Sequence, residues 1–321
     1  MHERRRDLNK LTVESTPHIH GKTGVSRIML YVILALTPAA AAGCLYYGRH
    51  AVLLLLATTG SAMLFEALSS LLFRHKQTLF DLSAAVTGLM LGMLLPPDFP
   101  LWKAALGSFI AITAAKQLFG GIGRNIANPA GVAWISLLLL FTKDMTTWRI
   151  PETGQLTRLT PLVTGHTGYW DLILGNYPSY IGTGCALGLV LGMLFLCLTG
   201  IISPAAPAAF LGAFAVLSFA GGYDVPSELL SGSIMLAACF MACDYTTTPF
   251  SASGKLLFGT GCGILTFLIR HFGGYPEGAV FAVVAMNLLT PALNRMTKKT
   301  PFGAVTLRKK EAKKSTSVPA E

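Results

Sequence analysis

Apolar residues run through this chain in long blocks, broken by charges, prolines and glycines. Several blocks reach the roughly 20 residues that an α-helix needs to cross a hydrocarbon core. Ten such helices are expected, near residues 28–46, 51–73, 79–95, 104–118, 128–142, 180–200, 204–221, 228–243, 256–271 and 279–296. The fifth, seventh and eighth are short or rich in Gly, Ala and Pro, as expected where helices approach closely in lipid. The first block opens only near Ile28 and many follow it, so a cleaved signal peptide describes the N-terminus poorly.

Composition agrees with a multi-pass membrane protein. Hydrophobic residues make up 52% and charged residues 12% of 321, with a mean hydropathy of +0.57. A soluble domain carries about twice that share of charge. The net charge of +10 would suit nucleic acid, but its distribution points to lipid instead. With the N-terminus in the cytoplasm, 19 of the 25 Lys and Arg fall inside, in both tails and the loops at 74–78, 116–127 and 244–255. Arg49, Lys103, Lys143, Arg149, Arg158 and Arg270 remain outside. This asymmetry predicts a bacterial inner-membrane protein with both termini cytoplasmic.

The loops are short except for residues 143–179, on the expected outer face. A loop of that length inside a compact protein is usually functional or disordered. Trp148, Tyr169, Trp170 and Tyr177 make it too aromatic for disorder. It separates a first five-helix half, 28–142, from a second, 180–296, between a cytoplasmic tail at 1–27 and a basic one at 297–321. Two halves with an odd number of spans have opposite orientations, the layout of inverted-repeat transporters. Leu82-Ser83 opens the third block as Leu230-Ser231 opens the eighth, a weak internal echo. Lys116 to Gly120 also resembles Lys255 to Gly259, but at non-equivalent loops.

All six cysteines (Cys44, Cys185, Cys197, Cys239, Cys243 and Cys262) lie in apolar blocks. Cys239 and Cys243 share a helix face, yet no second pair or nearby histidine completes a four-ligand set. Packing is the simpler account, since cysteine behaves as a small hydrophobe. No metal site is expected. His18 fits a tail residue near the cytoplasmic face, and His166 stands alone among threonines. No Gly-x-Gly-x-x-Gly follows a strand, so partner subunits would have to supply nicotinamide and iron–sulfur sites.

Specific stretches carry further information. They are Ser15-Thr16-Pro17-His18-Ile19; Asp81-Leu82-Ser83-Ala84-Ala85-Val86-Thr87-Gly88-Leu89 with Leu94-Leu95-Pro96-Pro97; and Lys116 through Gly123 with Asn128-Pro129-Ala130. Later come Phe240-Met241-Ala242-Cys243-Asp244-Tyr245, Gly254-Lys255, Gly259-Thr260-Gly261-Cys262-Gly263 and Gly273-Gly274-Tyr275-Pro276-Glu277-Gly278. Together these resemble the family that contains RnfD of the Rnf complex and NqrB of the sodium-pumping NADH:quinone oxidoreductase, from about residue 15 to 303. The lack of a long N-terminal extension is closer to the Rnf type. The resemblance implies an all-α polytopic fold of about ten transmembrane helices in two inverted five-helix halves, like urea transporters. It also implies a complex that couples electron transfer between ferredoxin and NAD to Na⁺ or H⁺ translocation, with membrane, flavin and iron–sulfur subunits as partners.

That family carries FMN joined through its phosphate to a threonine by a flavin transferase. The matching segment here is Gly154-Gln155-Leu156-Thr157-Arg158-Leu159-Thr160-Pro161-Leu162. The resemblance makes Thr160 the acceptor and Thr157 the residue three before it. Gly154 replaces the family's aspartate, while Arg158 and Leu159 replace small residues. Small residues ease approach of the ring and the transferase, whereas Arg158 could pair with the flavin phosphate. The segment 178–184 lacks the family's glutamate, and 198–209 lacks its usual charge. A second, non-covalent flavin is left open.

Carboxylates within apolar blocks mark ion paths by default. Glu66 lies in the second block, Asp81 opens the third and Asp244 closes the eighth beside Thr246, Thr247 and Thr248. A capping role for Asp81 and Asp244 is the alternative, and for Glu66 a buried hydrogen bond to a neighbouring helix. Two rivals stand beside the redox reading: a channel or transporter of the same fold without redox chemistry, and a structural subunit that has lost its flavin.

Overall fold

The computed structural model describes residues 24–72, 79–121, 123–158, 168–273 and 277–297. It is a helical membrane protein of the multi-pass kind. Its helices are α1 (Val25–Tyr47), α2 (Arg49–Leu72), α3 (Ser83–Met93), α4 (Leu101–Phe109), α5 (Pro129–Leu140), α6 (Thr142–Met145) and α7 (Tyr169–Leu174). They are followed by α8 (Ala186–Leu198), α9 (Ala205–Ala220), α10 (Val225–Leu230), α11 (Ile234–Cys239), α12 (Ala252–Phe272) and α13 (Ala279–Met296). A single two-residue hairpin is the sheet among the described residues.

Helices α1, α2, α12 and α13 are each long and apolar enough to cross a membrane. Their outward positions stay apolar. On α2, Leu53, Leu56, Leu64, Leu68 and Leu71 are all exposed, a surface that suits hydrocarbon and not water. The remaining apolar helices are shorter, 11 residues in α3 and 13 in α8, and fall short of a 30 Å core at ~1.5 Å per residue.

Three expected blocks differ from continuous helices. The block at 79–95 begins as a 3₁₀ turn, Leu79–Asp81, and breaks at Leu82, whose φ of 58° is left-handed. The block at 228–243 is two helices, α10 and α11, parted at Ser231, Gly232 and Ser233; Gly232 has φ 74°. The block at 180–200 becomes helical only at Ala186, because Ile181 and Gly182 donate to the carbonyls of Leu95 and Met93. Apolar patterning cannot distinguish such a continuation from a break.

Helices meet through glycine. A Cβ on Gly192 of α8 would lie 2.1 Å from the Ala35 carbonyl oxygen of α1, and one on Gly259 of α12 would lie 2.3 Å from that of Ala206 on α9. Gly188 and Gly263, four residues from each, make similar approaches. Backbones come together where no side chain intervenes, as membrane helices require. Trp134 of α5 is fully buried at the centre, its Nε1 donating to Leu94 O at 2.9 Å and its ring edge-on to Tyr180 and Phe281.

Candidate functional site

The long loop is built on a hairpin. Strand β1 (Trp148–Arg149) pairs antiparallel with β2 (Leu156–Thr157), setting Trp148 opposite Thr157. Ile150 N donates to Gln155 O and Gly154 N to Ile150 O, both at 2.9 Å. Gly154 closes this turn at φ 69°, which glycine adopts without steric cost. Trp148 is buried against Tyr180, their centroids 5.9 Å apart. Arg149 grips Asp98 through two nitrogens, Nε at 2.7 Å from Oδ2. The hairpin is therefore fixed to the bundle, and the chain leaves it through half-buried Thr157 and exposed Arg158. Thr160 and His166 lie outside the described residues. Beyond them, Tyr169 of α7 donates to the Asp224 carboxylate at 3.1–3.2 Å, and that bond and charge raise its phenol above the usual range.

The second region surrounds Glu66. This residue is fully buried in α2, and Lys116, 2% exposed, donates from Nζ to Glu66 Oε2 at 2.9 Å and to Ser83 Oγ at 2.8 Å. Helix α4 reaches that position through a π-turn, Ile110–Ala114, a distortion that re-aims the residues after it. Asp81, half-buried in the turn before Leu82, acts electrostatically on the same ammonium. Ser83 and Lys116 face a cavity walled by Met29, Val86, Met90 and Phe240, with Asn125, Asn128 and Asp244 on its polar side. Asn125 Oδ1 is buried there without a hydrogen-bond partner among the described residues.

Asp244 terminates the segment after α11 and accepts from Thr246 Oγ1 at 3.0 Å and Thr247 Oγ1 at 3.1 Å. Thr248 Oγ1 returns to Asp244 O at 2.6 Å. This is a satisfied polar turn that also gathers hard oxygens. With its amide oriented to satisfy both neighbours, Asn287 of α13 donates to Thr247 O at 3.1 Å and accepts from Asn128 N at 3.0 Å. The turn, the cavity wall and the last helix are thus linked.

The two regions occupy opposite ends of the bundle. His50, at the start of α2, bonds Pro97 O at 2.6 Å, next to the Asp98 that holds the hairpin. Glu66 lies 16 residues further along the same helix, ~24 Å at the helical rise. Glu66, Asp81 and Asp244 are gathered at one end, and Thr157 and Arg158 at the other.

Sequence reasoning misses Lys116 as a site residue because it ends an apolar block and counts as a cytoplasmic loop charge. Arg270, placed outside by the same reasoning, is likewise buried. One charge leaves each side, so the bias stands. Cys239 and Cys262 belong to the apolar core. Among the described residues, no three His, Cys, Asp or Glu gather as metal ligands.

A profile of the NQR2, RnfD, RnfE family matches residues 12–303. The D subunit of the Na⁺-translocating ferredoxin:NAD⁺ oxidoreductase complex of Acetobacterium woodii is 41% identical, covering 96% of this chain and 99% of that protein. The proton-translocating counterpart from Clostridium ljungdahlii is 36% identical over 92% of this chain and 97% of its own length. The D subunit of an ion-translocating oxidoreductase complex from Escherichia coli is 32% identical over 91% and 98%.

Proposed function

The chain belongs to the NQR2, RnfD, RnfE family, and from that premise we propose that it is the D-type membrane subunit of a complex coupling ferredoxin:NAD⁺ electron transfer to Na⁺ or H⁺ translocation. The observation that carries this reading is near-complete coverage of relatives bearing that description, 99% of one and 97% of another. In this role the chain is one part of a translocase and works with membrane, flavin and iron–sulfur partner subunits. It crosses the bacterial inner membrane ten times, in two inverted five-helix halves joined by the 143–179 loop, with both termini cytoplasmic. The packing of α2 on α4 and of α9 on α12 supports paired halves.

Thr160 carries FMN through a phosphoester installed by a flavin transferase. Bound there, FMN would supply a one-electron relay to partner subunits. The described approach fits such a group: the hairpin is anchored at Trp148 and Arg149, and Arg158 is exposed where it can meet a phosphate. A second, non-covalent flavin would take the cavity beside Asn125 and Asn128, with its apolar walls against the ring and the buried Asn125 Oδ1 as an acceptor. Glu66, Asp81 and Asp244 line the cation path at that end.

A structural subunit without covalent flavin is the competing reading, favoured by Gly154, Arg158 and Leu159 at positions where the family has aspartate and small residues. Co-production with a flavin transferase, a denaturing gel under ultraviolet light and peptide mass spectrometry separate the two. A fluorescent band with FMN on the 154–162 peptide, absent in Thr160→Ala, is the expected result. A dark wild-type band in an assembled complex would leave the structural reading.

A further inference from the structure

Each half of the chain breaks its third apolar block beside a serine, and a buried base from the end of its fourth block fills the break. In the first half the break is Leu82-Ser83 and the base is Lys116. In the second the break is Ser231 to Ser233 and the base is Arg270. Arg270 Nη1 donates to Glu228 O at 2.6 Å and Glu228 Oε2 at 2.9 Å, while Nη2 reaches Ser231 O at 3.4 Å. Glu277, 2% exposed, accepts at Oε2 from Ser233 N at 2.9 Å and Ser233 Oγ at 2.6 Å. In each half one carboxylate pairs directly with the base and a second acts on it electrostatically: Glu66 and then Asp81 on Lys116, Glu228 and then Glu277 on Arg270.

The two clusters face opposite ends of the bundle. Tyr177 donates to Leu230 O at 3.1 Å, beside the second cluster, and Tyr47, the last residue of α1, donates to Tyr177 O at 3.0 Å. The second cluster is therefore at the α1–α2 junction, the hairpin end, away from Glu66.

We propose that Glu228, Arg270, His271 and Glu277 form a binding site for one proton, held on the Glu277 carboxyl. Arg270 is permanently charged, so with neutral His271 the two carboxylates leave one uncompensated negative charge. Side-chain exposure is 3% for Arg270, 9% for His271 and 14% for Glu228, and an unbalanced buried charge is strongly unfavourable. One proton removes it. Among the described residues, two buried nitrogens lack hydrogen bonds, Arg270 Nε and His271 Nε2; the latter stands 3.7 Å from Glu228 Oε2, so the polar groups here are not saturated by one another. Burial pushes the Glu277 carboxyl up, against the opposing pull of Arg270 and the Ser233 bonds. Among the described residues, Tyr177 interacts electrostatically with Glu277 and Arg270, with Tyr47 and Cys185 behind it, and Tyr223 stacks on His271 at 3.8 Å. The role of this proton in transport rests on the function proposed above; its presence does not.

The test is infrared difference spectroscopy of the full-length purified protein between acidic and alkaline buffer, in wild type, Glu277→Gln, Glu277→Asp and Glu66→Gln. The expected result is a protonated-carboxyl band that disappears in alkali, is lost in Glu277→Gln, returns shifted in Glu277→Asp and survives in Glu66→Gln. A band unchanged in Glu277→Gln, or no protonated-carboxyl band in folded wild type, overturns the site. Loss of the wild-type band on adding Na⁺ at constant pH also overturns it, because the cluster then takes a metal ion. A dark flavin band would count against the redox reading and leave this outcome untouched.

Discussion

Lys116 and Glu66 exchange a hydrogen-bonded ion pair at 2.9 Å with almost no exposure on either side. Removing Lys116 takes from buried Glu66 an ion-pair partner that is itself almost fully buried. Lys116→Met is therefore expected to destabilise the protein by about 3–5 kcal/mol, read as a lowered unfolding midpoint in detergent. Lys116→Met combined with Glu66→Leu should recover most of that loss, because the fully buried carboxylate goes with its partner and only half-buried Asp81 remains nearby; failure to recover would show that Asp81, Ser83 or the cavity depends on the ammonium itself. Glu66 was legible from sequence as a carboxylate in an apolar block. Its partner was not, since 50 positions separate the two and only the π-turn at the end of α4 aims Lys116 inward. Gly154 gives the converse lesson. As a sequence feature it is a departure from the family's aspartate, and the hairpin supplies a reason in its left-handed φ.

Helix pairs in this protein are set by glycine faces. Gly188 and Gly192 seat α8 on α1, and Gly259 and Gly263 seat α12 on α9, with would-be Cβ atoms inside contact distance of opposing backbone. A side chain at Gly192 must push two backbones apart, so Gly192→Val is expected to abolish recovery of folded protein in size-exclusion chromatography. Gly212 of α9 meets nothing within 4 Å. Gly212→Ala should leave yield intact and add about 0.5–1 kcal/mol of stability through the helix backbone. Equal loss from both variants would sink the packing account. The four long helices were legible because long apolar blocks declare them. The breaks at Leu82 and Ser231 were not, because local composition there stays apolar or small and tertiary hydrogen bonds decide where the helix stops.

The whole chain is a basic, apolar molecule whose charges are unevenly distributed along it. Lys and Arg in the tails and three loops outweigh those on the other side even after Lys116 and Arg270 are removed as buried residues. Reporter fusions at either terminus should be active only as cytoplasmic reporters, and a fusion within 143–179 only as an exported one. A terminus and the loop on the same side would refute the ten-crossing, inverted arrangement. At this scale the two ionic clusters stand one at each end of the bundle.

The sequence by itself determined that this is a helical membrane protein, which family its motifs resemble and that Glu66 enters apolar surroundings. These follow from the cost of placing polar groups in hydrocarbon, which every residue registers locally. The tertiary structure alone decided where helices break, which bases neutralise Glu66 and Glu228, and that Glu277 meets Ser233. Those depend on contacts between residues 42 or more positions apart, and an electrostatic partner is set by distance in space, on which order along the chain is silent.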